Sequence, residues 1–328
     1  MTRGRFAMAS RRLLTSSPKT ILSYDSAALL EAIKMSEGRT IVAVARNRGP
    51  NICDGVSNHE LCAAFGADIV ALGLYDPHNP YFSGLPSKVP EEPDDTILAQ
   101  VQTDLGRGWT LHEVRELIGR PIAAALFGTE KSFAPGMESS FARVLATREN
   151  ARLLAEQGAD IIQFMDWLGD LETITSTVRE LREEIGERAL LSFARPNGFG
   201  LFGQLGRREF ITSDEIRGVI RAGADIVEIP AVGTLPGFTV EYTSRLVQEI
   251  HDAGALASLW IATSQEGADT ETIRRIGFYS KMTGADMYTI SDVGLTEAMP
   301  PPENIMTLSI AIRGVRHTYR RMAMSPLR

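Results

Sequence analysis

Two cysteines, Cys53 and Cys62, are all the chain has. That is too few for a disulfide scaffold, and their spacing matches no zinc motif. No apolar run approaches the ~20 residues a membrane helix needs, and no apolar core of a secretion signal follows the N-terminus. A reducing cytoplasm without membrane attachment is therefore the expected setting. Lysine is scarce: Lys19, Lys34, Lys88, Lys131 and Lys281 are the full set, and none falls at a predicted strand end. Schiff-base chemistry thus lacks its nucleophile. The five histidines also avoid strand ends, which removes the His-rich zinc site of barrel hydrolases. Neither G-x-S-x-G nor H-E-x-x-H occurs, and no Walker or dinucleotide pattern is present, so no organic cofactor is expected.

Acids are missing from both ends. Residues 1–20 carry Arg3, Arg5, Arg11, Arg12 and Lys19 with no acid, and 313–328 carry Arg313, Arg316, Arg320, Arg321 and Arg328 with none either. With a formal net charge of −7, the body between these ten cations stands at −17. Such a body argues against a nucleic-acid partner. Residues 1–20 read as a disordered basic tail. Their Arg- and Ser-rich composition is also that of an organellar transit peptide; the other reading is a bacterial N-terminus in which Met8 can serve as the start.

What the chain does have is a repeat. Gly-Ala-Asp occurs at 66–68, 158–160, 223–225 and 284–286, each time after helical periodicity and before an apolar run. The glycine reads as a helix end and the run as a buried parallel strand. Four further strand candidates lie between: Thr40–Ala45, Pro121–Phe127, Ala189–Ala194 and Ala255–Ala262. Strands starting near 40, 68, 121, 160, 189, 225, 255 and 285, each followed by a helix, predict an α/β protein with one (β/α)8 TIM barrel over 21–328. An extra N-terminal helix over 25–36 is expected to cover the bottom, and a last helix to run from Pro302 to Met322. Turns into strands are short, whereas the βα loops at 77–111, 129–145 and 195–212 are long, which places the chemistry at the C-terminal rim.

That rim carries Arg46 and Asn47, Asp76, Asp166, Arg195 and Asn197, Glu228, Thr263 and Ser264, and Ser291 and Asp292, in strand order. Four carboxylates on one rim can share acid and base roles, or Asp76, Asp166 and Glu228 can hold a hard cation such as Mg2+. The alternative is that some cap the next helix or pair with Arg46 and Arg195. Asp166 and Glu228 interrupt apolar runs, where an unpaired carboxylate is costly without a task. The Gly-rich stretch 195–208 reads as a lid or as a structural loop. Thr263, Ser264, Gly267, Ser291 and Gly294, in the seventh and eighth loops, suit a phosphate site of backbone amides and small hydroxyls.

The segment DGVSNHELCAAFGADIVALGLYD (54–76) resembles the opening unit of the phosphoenolpyruvate mutase/isocitrate lyase superfamily, in which a Leu-Ser-Ala turn, a helix, a glycine and a strand follow at this spacing. Val56, Ser57 and Gly66 match, and Asn58 stands where that family has alanine. Most of the chain, to its ending PENIMTLSIAIRGVRHTYRRM (302–322), is similar to a bacterial barrel family labelled phosphonomutase-like or haloacid-dehalogenase-like. The resemblance implies the barrel and an Mg2+-assisted reaction on a small anionic molecule. The superfamily's D-x-D on the third strand is absent, that strand reading PIAAALFG, and so is its Lys-Lys-Cys-Gly signature. The D-x-D-x-T/V motif of haloacid dehalogenases occurs nowhere.

The expectation is a lyase or isomerase of phosphonomutase-like type for a phosphorylated or carboxylated metabolite. Asp166, Glu228 and Asp292 would do the proton or metal work, and Arg195 would clamp an anion. Arg46, Asn197, Thr263, Ser264, Gly267, Ser291 and Gly294 would bind the substrate. A metal-free sugar-phosphate epimerase and a regulatory barrel that binds without turnover are the alternatives. Leu308, Ile312, Val315 and Tyr319 form an apolar stripe beside Arg313, Arg316 and Arg320 on the last helix, with Ile305, Ser309 and Ile310 free to face the barrel. The stripe points to a homo-oligomer; the other reading is that the helix buries these residues in its own barrel.

Overall fold

The computed structural model describes residues 12–89, 106–129, 132, 141–196, 210–295 and 298–328. Eight strands run in order around one sheet: β1 Thr40–Arg46, β2 Ile69–Gly73, β3 Ile122–Phe127, β4 Ile161–Met165, β5 Leu190–Ala194, β6 Ile226–Pro230, β7 Leu256–Ile261 and β8 Met287–Ile290. All neighbours are parallel, and β1 pairs with β8 to close the barrel. Two helices, α1 Pro18–Leu22 and α2 Ser26–Lys34, precede β1. Among the described residues one helix then follows each strand: α3 Asn58–Ala64, α4 Leu111–Ile118, α5 Arg148–Glu156, α6 Leu171–Ile185, α7 Ser213–Ala222, α8 Val240–Asp252, α9 Thr270–Lys281 and α10 Pro302–Met322. The protein is a (β/α)8 barrel of the α/β class.

The Gly-Ala-Asp repeat turns out to be a latch used four times. Each glycine has a positive φ, between 83° and 119°, which reverses the chain at the helix end at no side-chain cost. Each aspartate then grips one residue of the strand before it. The amides of Asp68, Asp160, Asp225 and Asp286 donate to the carbonyls of Ile41, Ile122, Leu191 and Ala257 at 2.8–3.0 Å. The amides of those same four residues donate back to the aspartate carboxylates at 2.8–2.9 Å. Every carboxylate also meets a basic side chain: Asp68 meets Arg313 and Arg321, Asp160 meets Arg115, Asp225 meets Arg182, and Asp286 meets His251. The repeat therefore pins odd strands to even ones at the N-terminal face, which frees the opposite rim for loops.

His251 is the one imidazole among the latch partners. Its hydrogen bond to Asp286 is the main cause of a raised imidazole pKa. This contribution is fully present below the unfolded value near pH 6.5 and is lost as pH rises through the raised folded value. His251→Gln keeps a donor without titrating. It is expected to flatten the loss of stability above about pH 6.5, by less than about 1 kcal/mol because the pair is partly exposed. Urea unfolding of both proteins across pH checks this.

Packing begins earlier than the composition suggests. Leu13 and Leu14 are buried, and Ser17 caps α1 by accepting from the amide of Thr20. Leu13, Ile21, Leu29 and Ile33 pack beneath the barrel floor, against Val42, Ile69, Ile161 and Leu256. Residues 12–20 are thus part of the fold rather than a tail, because their scattered apolar side chains plug its bottom; residues 1–11 lie outside the described set. The last helix also differs from expectation. Leu308 and Ile312 are buried in their own barrel, while Val315 and Tyr319 are exposed. Gly314, at φ 77° and ψ 165°, breaks the helix between them and resets which face looks inward, so the four residues do not form one outer stripe. Among the described residues, no helix is long and apolar enough to cross a membrane.

Candidate active site

Strand residues two apart face the same way, so three successive levels fill the barrel. The lowest is apolar, formed by Val42, Ile69, Ala123, Ile161, Leu190, Ile226, Leu256 and Met287. The middle level contains Gln163, Glu228, Ser258 and Thr289 around a pocket of about 20 Å³, room for about one water. Gln163 Nε2 donates to Glu228 Oε1 at 2.6 Å, and the indole N–H of Trp260 donates to Glu228 Oε2. Ser258 and Thr289 share a 3.1 Å hydrogen bond. Burial is the main influence on Glu228 and raises its pKa, against hydrogen bonds from Gln163 and Trp260 and the nearby Ser192 hydroxyl.

Above this level opens a cavity of about 410 Å³ at the C-terminal rim. Phe127, Phe141, Met165, Trp167 and Trp260 give it an apolar, aromatic wall. Phe127 and Trp167 stack with centroids 5.8 Å apart and planes 14° from parallel. Among its lining residues the charged ones are Arg46 and Asp292, paired at 2.9 Å between Nε and Oδ2. The Ser291 hydroxyl reaches the other Asp292 oxygen at 3.2 Å. This pair crosses β2 at Gly73 because nothing larger fits: a Cβ there would lie 2.6 Å from Asp292 Oδ2 and 3.2 Å from Arg46 Cγ. Gly73→Ala is therefore expected to leave the fold intact, since a side-chain tip can move. It should displace the carboxylate and weaken whatever the pair does by about a hundredfold. Ligand titration alongside thermal melting separates the two effects.

The expected site residues do not all meet. Arg46, Thr263, Ser264, Ser291 and Asp292 line the cavity. Glu228 sits one level below, joined to it through Gln163 and Trp260. Asp166 and Arg195, expected to face the cavity, are turned behind it. Asp166 is fully buried and accepts from the Ser132 hydroxyl and from the amides of Leu168 and Gly169. Arg195 is spent on the carbonyls of Trp167 and Gly169 and on the carboxylate of Glu215. The two buried charges lie 3.9 Å apart and spend their hydrogen bonds on this loop, including the Trp167 carbonyl at the mouth. Gly267 and Gly294 press on one another where the seventh and eighth loops cross: a Cβ on Gly267 would lie 2.4 Å from the Gly294 carbonyl. The Thr263 hydroxyl is committed to the Thr234 carbonyl at 3.1 Å. Asn197, with most of the stretch 195–208, lies outside the described residues.

The donor set suggested for Mg2+ is dispersed as well. Asp76 is held by Arg143 at 3.0 Å and by the amide of His78 at 2.9 Å, Asp166 is enclosed in its own loop, and Glu228 lies inside the barrel. No group of three His, Cys, Asp or Glu side chains able to hold a metal occurs among the described residues. These donors do not fit a shared cation.

Several site residues escaped the sequence reading. Gln163 interrupts an apolar strand just as Glu228 does, and the same argument would have found it. Trp260 is two residues beyond Ser258 on one inward face, so counting by twos from the middle level reaches it. Glu266 carried no signal, being one acid among the polar residues of the seventh loop. It is fully buried, and its carboxyl is pushed up to about 7, chiefly by burial and further by the Asp292 charge, against nearby backbone amides. Thr263 and Ser264 ahead of it both adopt left-handed backbone, at φ 67° and 70°, a strained conformation for threonine.

Residues 14–328 match the family model described as a domain of unknown function, DUF7916. No curated protein matches the chain. Among solved structures, it is similar to 2,3-dimethylmalate lyase, described as a PEP mutase/isocitrate lyase superfamily member. That match has 16% identity and a TM-score of 0.43 over 86% of this chain and 81% of the other. It is similar to dihydrodipicolinate synthase from Oceanobacillus iheyensis, with 10% identity and a TM-score of 0.47 over 88% and 78%. It is also similar to an aldolase, QR15, with 12% identity and a TM-score of 0.44 over 84% and 95%. At such identities and TM-scores the likeness carries no information about chemistry.

Proposed function

The chain belongs to the DUF7916 family, and we propose that it is a lyase- or isomerase-type enzyme that takes a small anionic metabolite into the mouth of its barrel. The observation that carries this reading is the Arg46–Asp292 pair, the charged element of an apolar cavity of about 410 Å³ set directly above a buried carboxyl. Arg46 supplies a planar donor fork for a carboxylate or phosphate, and the aromatic wall excludes water and holds the apolar body of the ligand. Once the anion takes Arg46, Asp292 is freed from its partner and becomes the base at the reacting carbon. Gln163 stands at the cavity floor as a donor to a carbonyl oxygen. Glu228 lies behind it, able to return a proton through the middle level. No step is assigned to Mg2+, because the donors are dispersed.

A second reading is favoured by one specific observation: the rim acids are paired off, Asp292 with Arg46 and Asp76 with Arg143. A barrel that binds its metabolite without turnover would look the same. Thermal melting against a panel of di- and tricarboxylates and 2-oxo acids, followed by product analysis, separates the two. The enzyme reading expects saturable stabilisation that Arg46→Met abolishes, and turnover that Asp292→Asn reduces by 10²–10⁴. Stabilisation without any turnover supports the binder. Stabilisation that survives Arg46→Met refutes the site.

A further inference from the structure

We infer that Glu266 is a built-in occupant of the anion nest between the seventh and eighth loops, and that it restricts the barrel to carboxylates by excluding phosphorylated substrates. This deepens the proposed function and rests on it. In barrels of this type, phosphate is held by backbone amides of these two loops. Here the buried Glu266 carboxyl stands where the two loops press together, close to the amides of Ser264, Glu266 and Val293. The carboxyl has no exposed surface, and neither of its oxygens reaches hydrogen-bonding geometry with any described partner. A buried carboxyl in that state is placed there at a cost, so its location needs a reason other than stability.

The surroundings show that the loops are built to keep it. Gly294 lies so close that a Cβ on it would stand 2.9 Å from Glu266 Cγ, and Gly267 leaves no more room against the Gly294 carbonyl. Asn304 of α10 donates to the carbonyls of Glu266 and Ala268 at 2.9 and 2.8 Å, which fixes the loop from outside. Thr263 and Ser264, just ahead of Glu266, hold left-handed backbone. With the nest filled, and Asp292 adding like charge beside it, a phosphate dianion meets a carboxyl where other barrels offer amides. The anion is left to Arg46, across the cavity.

The test uses inorganic phosphate as the probe and melting temperature as the readout, at constant ionic strength, with wild type, Glu266→Gln and Glu266→Ala. Wild type and the isosteric Glu266→Gln should show no saturable phosphate effect. Glu266→Ala should gain one, a rise of about 2 °C or more at saturating phosphate. If Glu266→Ala does not fold, Glu266→Ser, which leaves a hydroxyl to one amide, carries the same expectation. Folded variants indifferent to phosphate overturn the inference. So does saturable phosphate binding by wild type that persists in Arg46→Met. A wild-type effect that Arg46→Met removes overturns it too, since phosphate would then be held in the barrel despite Glu266. The carboxylate panel is read separately, so its failure would sink the proposed function and not the phosphate result.

Discussion

Asp68→Asn should destabilise the protein by roughly 3–5 kcal/mol, the cost of breaking a buried ionic network by removing one sign of charge. Asp68 has no exposed surface. Arg321 donates to one of its oxygens at 2.7 Å, and Arg313 and the Ile41 amide donate to the other. Arg120 lies close enough that burial and the neighbouring guanidinium groups push its pKa down to about 9. Asparagine would turn an amide toward at least one donor and leave three buried guanidinium groups without a counter-charge. The matching change at the partly exposed latch, Asp286→Asn, should cost about 1 kcal/mol or less. Denaturant unfolding of the two variants decides it: equal losses would mean that the ion network adds nothing to the latch. The pH dependence gives a second check. Despite burial, the surrounding arginines hold the Asp68 carboxyl below the usual carboxylate range. Its contribution is therefore present above the unfolded value near 3.9 and is lost as pH falls through the folded one. The acid limb of the wild-type stability curve should carry that loss, and the Asp68→Asn curve should lack it.

The same network explains what could and could not be read from the chain. The barrel was legible because Gly-Ala-Asp repeats locally, with a helix before it and a strand after it, and each latch closes on the strand just before. The role of Arg313 and Arg321 was not, because their partner lies 245 and 253 residues away. In the sequence they look like a solvated basic end, and in the fold they are core. The rim was legible to the extent that strand ends could be located, which brought Arg46, Thr263, Ser264, Ser291 and Asp292 to one cavity. Sequence position could not tell Asp292, which stays at the mouth, from Asp166, whose loop folds back and consumes it. That difference is made by the amides of Leu168 and Gly169, a choice of local backbone geometry with no residue signature. Glu228 was found because a carboxylate inside an apolar strand is costly. Its depth, one level below the cavity, follows from inward parity that only the register fixes.

Glu228→Gln is the change expected to affect the proposed reaction most at the least cost to the fold. The substitution keeps shape, and Gln163 can turn its amide so that its oxygen accepts from the new side-chain nitrogen, while Trp260 still donates to the oxygen. Burial raises the Glu228 pKa, so folding favours its neutral form. That advantage is complete below the unfolded value near 4.3 and is lost as pH rises through the folded value. A glutamine never ionises and does not suffer this loss. The variant should therefore match wild type in acid and become the more stable of the two as pH increases. If Glu228 returns the proton in turnover, the same variant should lose 10²–10⁴ in rate, and the limb of the pH–rate profile that reports its ionisation should disappear. The indole N–H of Trp260 faces a carboxyl in one protein and an amide in the other, so tryptophan fluorescence should titrate only in wild type. A variant that melts far earlier than wild type at every pH, yet turns over normally while folded, would make Glu228 a packing element of the barrel and leave Asp292 to act alone.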